Sequence, residues 1–254
     1  MENYINNYKN FDKIYIYDFR LGLGGIGDYI KYFIILLKEC MDNNIKLYQR
    51  VNNIEIEKYI KLKYDCIYIT ISDIEKLNNA VYKYPQHYYE MGEISHKNFN
   101  DIDIPFNDVF YFDNSVKLNV INILPSNPIN YISIHLRLGD KFLETDKNHV
   151  LCKNDIRAFS EEQLYKFIDN AQDQNIIFFC DNLSYKTKIK NKYDNIIITD
   201  SQIGHTSLSN TTNKEILDAI TEFYIMSNSE LIYGASNSGF SIVASLMNNV
   251  KYIS

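Results

Sequence analysis

Apolar runs of strand length alternate along this chain with longer stretches whose apolar residues recur every three or four positions. The first pattern is typical of buried strands, and the second is typical of helices that pack on a sheet. In the first third, strands are predicted at "KIYIYDF", "IKLYQRV" and "CIYITI", and helices at "DYIKYFIILLKECMDNN" and "IEIEKYIKL". This βαβαβ order predicts an α/β fold with a parallel sheet and helices on its faces.

The alternation restarts in the second half after an interruption. From Val81 to Leu124 no period is sustained, and the segment "LPSNPIN" that follows has the composition of a linker. Beyond it, strands are predicted at "YISIHLRL", "NIIFFCDN", "NIIITDS", "ELIYG" and "VKYIS", and helices at "SEEQLYKFIDNAQ", with Ser160 as its N-cap, "TNKEILDAITEFYIMSNS" and "GFSIVASLMNN". We therefore predict two α/β domains, residues 1–125 and 126–254.

Charge and composition exclude several classes of protein. The 254 residues are 46% hydrophobic, enough for a sizeable core, and the formal net charge of −6 argues against a nucleic-acid partner. The four cysteines and five histidines are dispersed, so neither a metal site nor a disulfide framework is predicted. The residues before the first strand lack the apolar core of a signal peptide and no apolar stretch could span a bilayer, so we expect a cytoplasmic protein without a membrane partner.

The glycine-rich stretch "GLGGIGD" lies between the first predicted strand and the first predicted helix. Gly22, Gly24 and Gly27 match the spacing of the dinucleotide-binding fingerprint. In that fingerprint the glycines follow the strand directly, and a carboxylate after the second strand binds the ribose. Here four residues intervene, and the second strand ends in Gln49 and Arg50. The loop is better explained by close approach of its backbone to another ligand, with a tight strand-to-helix turn as the simpler alternative.

A second motif, "HLRLGD", ends the first predicted strand of the second half. His135 and Arg137 are two residues apart and so share one face of that strand. Because ligands of open α/β sheets bind at the carboxyl ends of the strands, Arg137 is well placed to bind a diphosphate with its forked guanidinium. The alternative is an arginine that pairs with a surface carboxylate.

The third motif is "SNSGFS", which opens the last predicted helix. Asn237, Ser238 and Gly239 place hydroxyls and free backbone N–H groups at a helix N-terminus, which favours anions. Ordinary N-capping would produce the same local geometry without a ligand.

The order and spacing of these three motifs resemble the GT-B fucosyltransferase superfamily, which includes α1,2-, α1,6- and protein O-fucosyltransferases. The resemblance covers three short segments across most of the chain. It implies two Rossmann-like domains whose parallel sheets face each other across a cleft, with GDP-fucose as donor and a glycan or protein as acceptor. It also implies that fucose is transferred to an acceptor hydroxyl with inversion, and without a metal or other cofactor.

The same resemblance implies roles for individual residues. Arg137 would bind the donor phosphates and assist the departure of GDP, and Asp28 would be a candidate general base for the acceptor hydroxyl. Many relatives have asparagine where this chain has Asp28, so the carboxylate could equally mean another donor or acceptor. The remaining candidates are His135 for the catalytic site and Gly24, Gly25, Gly27, Asp140, Asp181, Asp200, Asn237, Ser238, Gly239, Phe240 and Ser241 for substrate binding.

Three alternatives remain open. One is an NAD(P)-dependent oxidoreductase that uses the glycine loop, and another is a nucleotide-sugar-binding protein of the same fold without activity. The third rests on Asp101 and Asp103, which have the spacing of the metal-binding DxD of the other major glycosyltransferase fold. That motif should end a strand, whereas here it lies in an irregular polar stretch.

Overall fold

The computed structural model of the protein describes residues 1–85, 102–126, 128–142, 154–202 and 204–254. In the first half, four strands form a sheet in the order β4-β2-β1-β5, and every adjacent pair is parallel. The strands are β1 (Ile14–Tyr17), β2 (Lys46–Arg50), β4 (Tyr68–Ile69) and β5 (Ala80–Lys83). β1 lies inside this sheet, and all four of its residues are buried.

Five strands form a second parallel sheet in the second half, in the order β11-β10-β7-β8-β9. They are β7 (Ile132–Leu136), β8 (Ile176–Cys180), β9 (Ile196–Ile198), β10 (Leu231–Gly234) and β11 (Lys251–Ile253). The central strands β7 and β8 are apolar runs that are buried throughout, as expected for a parallel sheet covered on both faces.

Helices connect these strands, as the alternation predicted. The longer ones are α2 (Ile26–Asp42), α6 (Asn114–Ile123), α7 (Glu161–Asn170), α8 (Leu183–Lys192), α9 (Asn213–Ser227) and α10 (Gly239–Met247); the shorter ones are α1 (Glu2–Asn7), α3 (Ile56–Tyr59), α4 (Ile71–Ile74) and α5 (Phe106–Val109). The Ser160 hydroxyl accepts a hydrogen bond from the Gln163 amide at the start of α7, so the predicted cap is confirmed.

The helix predicted over "IEIEKYIKL" is wrong in its second half. Only Ile56–Tyr59 is helical, and the next three residues form the strand β3 (Ile60–Leu62). β3 pairs antiparallel with β6 (Phe110–Phe112), a partner about fifty residues away that no local pattern reveals. The short strand is stabilised by this distant pairing, which overrides the helical spacing of its apolar residues.

The two halves are joined by packing between helices. α10 of the second half packs on α2 of the first, and α6 packs on α9. One apolar cluster contains buried residues of both halves. It includes Phe33 and Phe110 of the first half and Phe223 and Val243 of the second. Among the described residues, no helix is long and apolar enough to cross a membrane. The predicted boundary at residue 125 falls between the two parallel sheets, and as a domain boundary it stays a prediction.

Candidate functional site

Arg137 follows the last residue of β7 and lies at the carboxyl edge of the second sheet. Its guanidinium contacts three carboxylates: it forms a hydrogen-bonded ion pair with Asp140, lies 3.4 Å from Asp181 Oδ2 and 4.0 Å from Asp155 Oδ2. The Arg137 side chain is about one-fifth exposed (19%), so the guanidinium is accessible from solvent but held in place. These contacts fix a forked cation at the edge where ligands of parallel sheets bind.

Asp181 organises the backbone of the "HLRLGD" loop. Its two carboxylate oxygens accept hydrogen bonds from the amides of Leu138 (2.8 Å) and Gly139 (3.1 Å). Burial raises the pKa of Asp181, and the charge of Arg137 and these amides oppose that rise. Gly139 has φ +107°, and a Cβ there would collide with the backbone carbonyl of Asp155, so this turn requires glycine. The conformation of the loop that carries Arg137 is therefore held by contacts within the protein itself.

His135 lies in β7, two residues before Arg137, and its side chain is buried. Its ring stacks on Phe240 with centroids 5.4 Å apart, and burial together with the nearby Arg137 charge lowers its pKa to about 3. The imidazole is therefore neutral at physiological pH. Its Nδ1 is buried without a hydrogen-bond partner in the described part of the chain.

The "SNSGFS" segment lies beside Arg137, as the ligand hypothesis requires. The Ser236 hydroxyl donates to the Arg137 carbonyl (2.9 Å) and accepts from the Arg137 amide (2.8 Å). Ser238 is the N-cap of α10 and accepts from the amide of Phe240. The Ser241 hydroxyl donates to the Ser238 carbonyl. The turn before α10 and the backbone of Arg137 thus occupy one corner of the sheet edge.

The glycine loop of the first half contacts the start of α10. Gly22 and Gly24 have φ values of +92° and +135°, which side-chain-bearing residues rarely adopt. A Cβ on Gly27 would lie 2.9 Å from the carbonyl oxygen of Gly239. The third glycine of the fingerprint is therefore needed for close contact between the two halves of the molecule.

Asp28 occupies the first turn of α2. Its Oδ2 accepts from the amide of Gly25 (3.2 Å), which satisfies a free donor at the helix start, and its Oδ1 pairs with Lys31 at 3.1 Å. Both carboxylate oxygens therefore already have protein partners. The role of Asp28 as a base stays a prediction.

A loop that the sequence reasoning did not single out connects these features. A Cβ on Gly25 would lie 3.5 Å from Thr206 Oγ1 and 3.9 Å from His205 Cε1, and the Ser207 hydroxyl donates to the carbonyl of Gly24. The Nδ1 of His205 accepts from the amide of Ser207 at 3.2 Å, which leaves the proton of the neutral ring on Nε2.

His205 lies where its loop of the second half meets the glycine loop of the first, beside Gly25. Burial, together with the charge of Arg137, lowers the pKa of His205 to about 4, while Asp140, Asp28 and Asp155 oppose that shift. His205 is therefore a neutral hydrogen-bond donor in the cleft. A lone histidine in a Gly/Ser/Thr segment carries no sequence signal for this role, and neither does Asp155 in its irregular stretch.

Two predicted residues are less closely involved. Asp200 is exposed beyond the end of β9, where its amide donates to the carbonyl of Ile123. Asn237 is exposed in the turn before α10. Their roles as substrate-binding residues stay predictions.

A second charged cluster lies at the carboxyl edge of the first sheet. Asp18, which follows β1, is fully buried and accepts hydrogen bonds from Arg20, Arg50 and Asn52. Burial acts to raise the pKa of Asp18, but the hydrogen bonds from Arg20 and Asn52 and the two arginine charges lower it overall. We call this group of four side chains the Asp18 cluster.

Metal-binding groups are not found in the described part of the chain: no three histidine, cysteine or acidic residues are arranged to hold an ion. Asp103 belongs to that part, but its DxD partner Asp101 lies outside the described residues. The DxD alternative therefore stays an untested prediction.

Comparison with solved structures identifies the fold. The chain superposes on NodZ α1,6-fucosyltransferase soaked with GDP-fucose with a TM-score of 0.61 and 7% identity, covering 92% of each chain. It superposes on a mutant of Arabidopsis thaliana FUT1 in complex with GDP with a TM-score of 0.56 and 12% identity, covering 99% of this chain and 74% of the other. For POFUT1 in complex with GDP-fucose the TM-score is 0.51 at 10% identity, with 93% and 95% covered.

No protein-family model matches the sequence, and no curated protein matches it by sequence comparison. The likeness to the fucosyltransferases is therefore one of fold. The predicted GT-B-like arrangement of two Rossmann-like halves is confirmed, and so is the fold-level resemblance to the fucosyltransferase superfamily.

Proposed function

We propose that this protein is a glycosyltransferase that moves fucose from GDP-fucose to an acceptor hydroxyl, with inversion and without a metal ion. The observation that carries the proposal is the convergence of three distant motifs at one place. Arg137 is hydrogen-bonded through its backbone to Ser236, and Gly27 packs against Gly239. A cation, a helix N-terminus and a glycine loop thus meet in a chain with a fucosyltransferase fold.

In this proposal the donor diphosphate binds at Arg137 and the start of α10. The bidentate guanidinium suits a diphosphate, and the free amides of the helix N-terminus favour its negative charge. His205, in a loop of the second half that lies against Gly25, adds an Nε2–H donor. Because Arg137 already contacts three aspartates, the incoming diphosphate replaces part of that carboxylate shell rather than meeting an unpaired cation.

The proposed reaction is a single displacement at C1 of fucose. The acceptor oxygen forms a bond to C1 while the bond from C1 to the diphosphate oxygen breaks, and the bonding electrons leave with GDP. The acceptor proton passes to the carboxylate of Asp28. Arg137 stabilises the charge that develops on the leaving diphosphate, the part that a metal ion takes in other transferases.

A non-catalytic nucleotide-sugar-binding protein is the second candidate. One observation favours it: both oxygens of Asp28 already have partners, Gly25 and Lys31, which is the arrangement of a helix cap. Such a protein would keep the Arg137 site and lack the base.

Ligand-dependent melting tests the proposal. GDP and GDP-fucose should raise the melting temperature in a concentration-dependent manner, whereas NAD(H) and NADP(H) should not, since only a ligand that binds the native state stabilises it. Binding and transfer should both survive EDTA. A shift with the dinucleotides alone would favour the oxidoreductase alternative.

Asp28→Asn separates an enzyme from a binding protein. If Asp28 is the base, donor affinity stays near wild type and turnover falls by roughly 10²–10⁴-fold. Asparagine caps a helix about as well as aspartate, so folding should be unaffected. If wild type binds GDP-fucose but shows neither transfer nor donor hydrolysis over a broad acceptor panel, the second candidate is correct.

A further inference from the structure

The Asp18 cluster contains more positive than negative charge. Arg20 bonds Asp18 Oδ2 through Nε (3.0 Å) and Nη2 (2.6 Å), and Arg50 bonds the same oxygen through Nη1 (3.0 Å). Asn52 donates to the other oxygen, Oδ1, at 2.8 Å. One buried carboxylate is thus shared by two guanidinium groups, and one positive charge is left over.

The two arginines retain donors that Asp18 does not use. Half of the Arg20 side chain is exposed (52%), whereas that of Arg50 is mostly covered (17%). The buried Nε of Arg50 has no hydrogen-bond partner within the described residues. Guanidinium groups with spare N–H donors bind carboxylate, sulfate and phosphate groups in a forked geometry.

An aromatic surface adjoins the exposed arginine. The Arg20 guanidinium lies 5.5 Å from the ring centre of Tyr84, and Tyr84 stacks on Tyr82 with ring centroids 6.2 Å apart. A cation beside a stacked pair of rings is suited to a ligand with both a charged group and an apolar face, as a charged sugar has.

Glu57 adjusts the charge of this cluster near neutral pH. Its carboxylate accepts from the amide of Asn52, the residue whose side chain bonds Asp18. Burial raises the pKa of Glu57 to about 7, against the opposing effect of backbone hydrogen bonds and with a smaller contribution from the charge of Asp18. Two further titratable side chains interact with Glu57: burial raises the pKa of Tyr29 well above its ordinary value and that of Tyr68 to about 12, so both stay neutral phenols at this pH. Protonation of Glu57 therefore makes the cluster more positive as pH falls.

The Asp18 cluster adjoins the cleft on the side opposite Arg137. Arg20 lies two residues before the glycine loop, which begins at Gly22, and that loop contacts Gly239 and the Thr206 loop of the second half. Arg50 ends β2, so both arginines lie at the carboxyl edge of the first sheet, where ligands of parallel sheets bind.

We propose that Arg20 and Arg50 bind an anionic group, a uronate carboxylate or a sulfate or phosphate ester, on the acceptor sugar. The assignment of this ligand as the acceptor rests on the proposed function, whereas the anion-binding subsite itself does not depend on it. It identifies the substrate class as an acidic glycan, whereas the resemblance to fucosyltransferases implies only a glycan or a protein.

Side-chain NMR of the arginines tests the subsite directly. In ¹⁵N-labelled full-length protein, titration with potassium glucuronate should shift and saturate the Nε–H signals of Arg20 and Arg50, and glucose at equal concentration should not. Glucose 6-sulfate and glucose 6-phosphate separate the three anion types. Arg20→Gln should weaken glucuronate binding by about tenfold or more, since a charge-assisted hydrogen bond is lost. Lys61→Gln removes a matched surface cation that pairs with Asp113, and should leave binding unchanged.

Glu57→Gln provides a readout that a purely structural arginine pair would not show. In the wild type, affinity for glucuronate should fall as pH rises from 6 to 8, because Glu57 ionises and repels the anion. In Glu57→Gln the affinity should be the same at both pH values. Absence of saturable shifts with all three anions, or equal shifts with glucose, would overturn the proposal.

A transfer assay keeps this inference separate from the proposed function. If GDP-fucose binds but acidic and neutral acceptors react equally well, the anion subsite is wrong and the transferase remains. If glucuronate binds at Arg20 and GDP-fucose does not bind at all, the subsite stands and the proposed donor is wrong.

Discussion

The carboxyl edges of the two parallel sheets carry opposite charge arrangements. At the second sheet one arginine, Arg137, is surrounded by Asp140, Asp155 and Asp181. At the first sheet one aspartate, Asp18, is surrounded by two arginines. The position in the sheet is the same in both cases, since each charged centre directly follows a buried parallel strand.

The difference shows how a protein can hold a charge in place for two purposes. The carboxylates around Arg137 fix its orientation and reduce its net attraction for anions, so a ligand must offer a strong, forked partner such as a diphosphate. The arginines around Asp18 stabilise a buried carboxylate, and the half-exposed guanidinium of Arg20 faces solvent, which suits a weaker, single anion. Four predictions test this contrast, from the largest expected effect to the smallest.

Arg137→Ala should have the largest effect. Loss of the cation that faces the leaving diphosphate should weaken GDP binding and slow transfer by roughly 10²–10³-fold. Arg137→Lys should restore only part of the activity, because an ammonium lacks the forked geometry. Donor affinity and single-turnover rates measure this effect, with Lys188→Gln, which breaks a surface ion pair with Glu161, as the charge-matched control. Wild-type rates in Arg137→Ala would remove Arg137 from the site.

At the carboxyl edge of the first sheet, substitution of Asp18 should have a larger effect than substitution of Arg20, and the quantity affected should be the stability of the fold. Asp18→Ala leaves Arg50 and Asn52 without their buried partner and should lower the free energy of unfolding by about 3 kcal/mol. Arg20→Ala, at a half-exposed side chain, should cost less than about 1 kcal/mol. Urea denaturation measures both. Equal costs would mean that Arg20 is a structural partner of Asp18, which would weaken its assignment to ligand binding.

Gly27→Ala tests the contact that brings the two edges together. The added methyl group would lie 2.9 Å from the carbonyl oxygen of Gly239, so the halves must separate slightly, at a cost of about 1–3 kcal/mol. Gly239→Ala is the matched control, since a Cβ there meets no atom within 4 Å. Thermal unfolding should show a lower melting temperature for Gly27→Ala than for Gly239→Ala. The reverse order would contradict the close packing of these two loops.

Titratable side chains near the two edges should make the stability of the protein depend on pH in opposite directions. Each effect should amount to a few degrees of melting temperature. Glu57 has a native pKa of about 7, above its ordinary value, so the native state retains its proton more strongly and stability falls as pH rises from about 4.5 to 7. His135 and His205 have native pKa values of about 3 and 4, so the unfolded state binds protons more strongly and stability falls as pH drops below about 6.5.

Melting temperatures across pH 4–8 measure these slopes. Glu57→Gln should raise the melting temperature at pH 8 more than at pH 5, where the wild-type side chain is already protonated. His205→Gln should reduce the loss of stability on acidification. If either variant left its slope unchanged, the buried state assigned to that side chain would be incorrect.

Much of the fold was predictable from local patterns. The strands at "KIYIYDF", "IKLYQRV", "YISIHLRL" and "NIIFFCDN" are confirmed, because a buried parallel strand must be apolar over its whole length. α6 and α8 were missed: α8 is rich in lysine, with only Lys186 and Ile189 buried, so it has little amphipathic pattern to recognise. The short strand β3 was mistaken for helix because its partner β6 is distant in the chain.

The candidate site was predictable only where a motif shows a strand end or a helix start. Arg137, Ser238 and the glycine loop carry such signals. Asp155 and His205 do not, because each lies in an irregular segment and acquires its role from a neighbour far away in sequence.

By itself the sequence determined the alternation of strands and helices, the positions of the three motifs and the ends of the strands that carry Asp18 and Arg137. These follow from local periodicity and turn chemistry, which act over a few residues. Only the tertiary structure decided that Gly27 meets Gly239, that His205 lies beside Gly25, and that Arg20 and Arg50 share one carboxylate. The physical reason is that charge compensation and close packing depend on distances in space, which the order of residues along the chain does not specify.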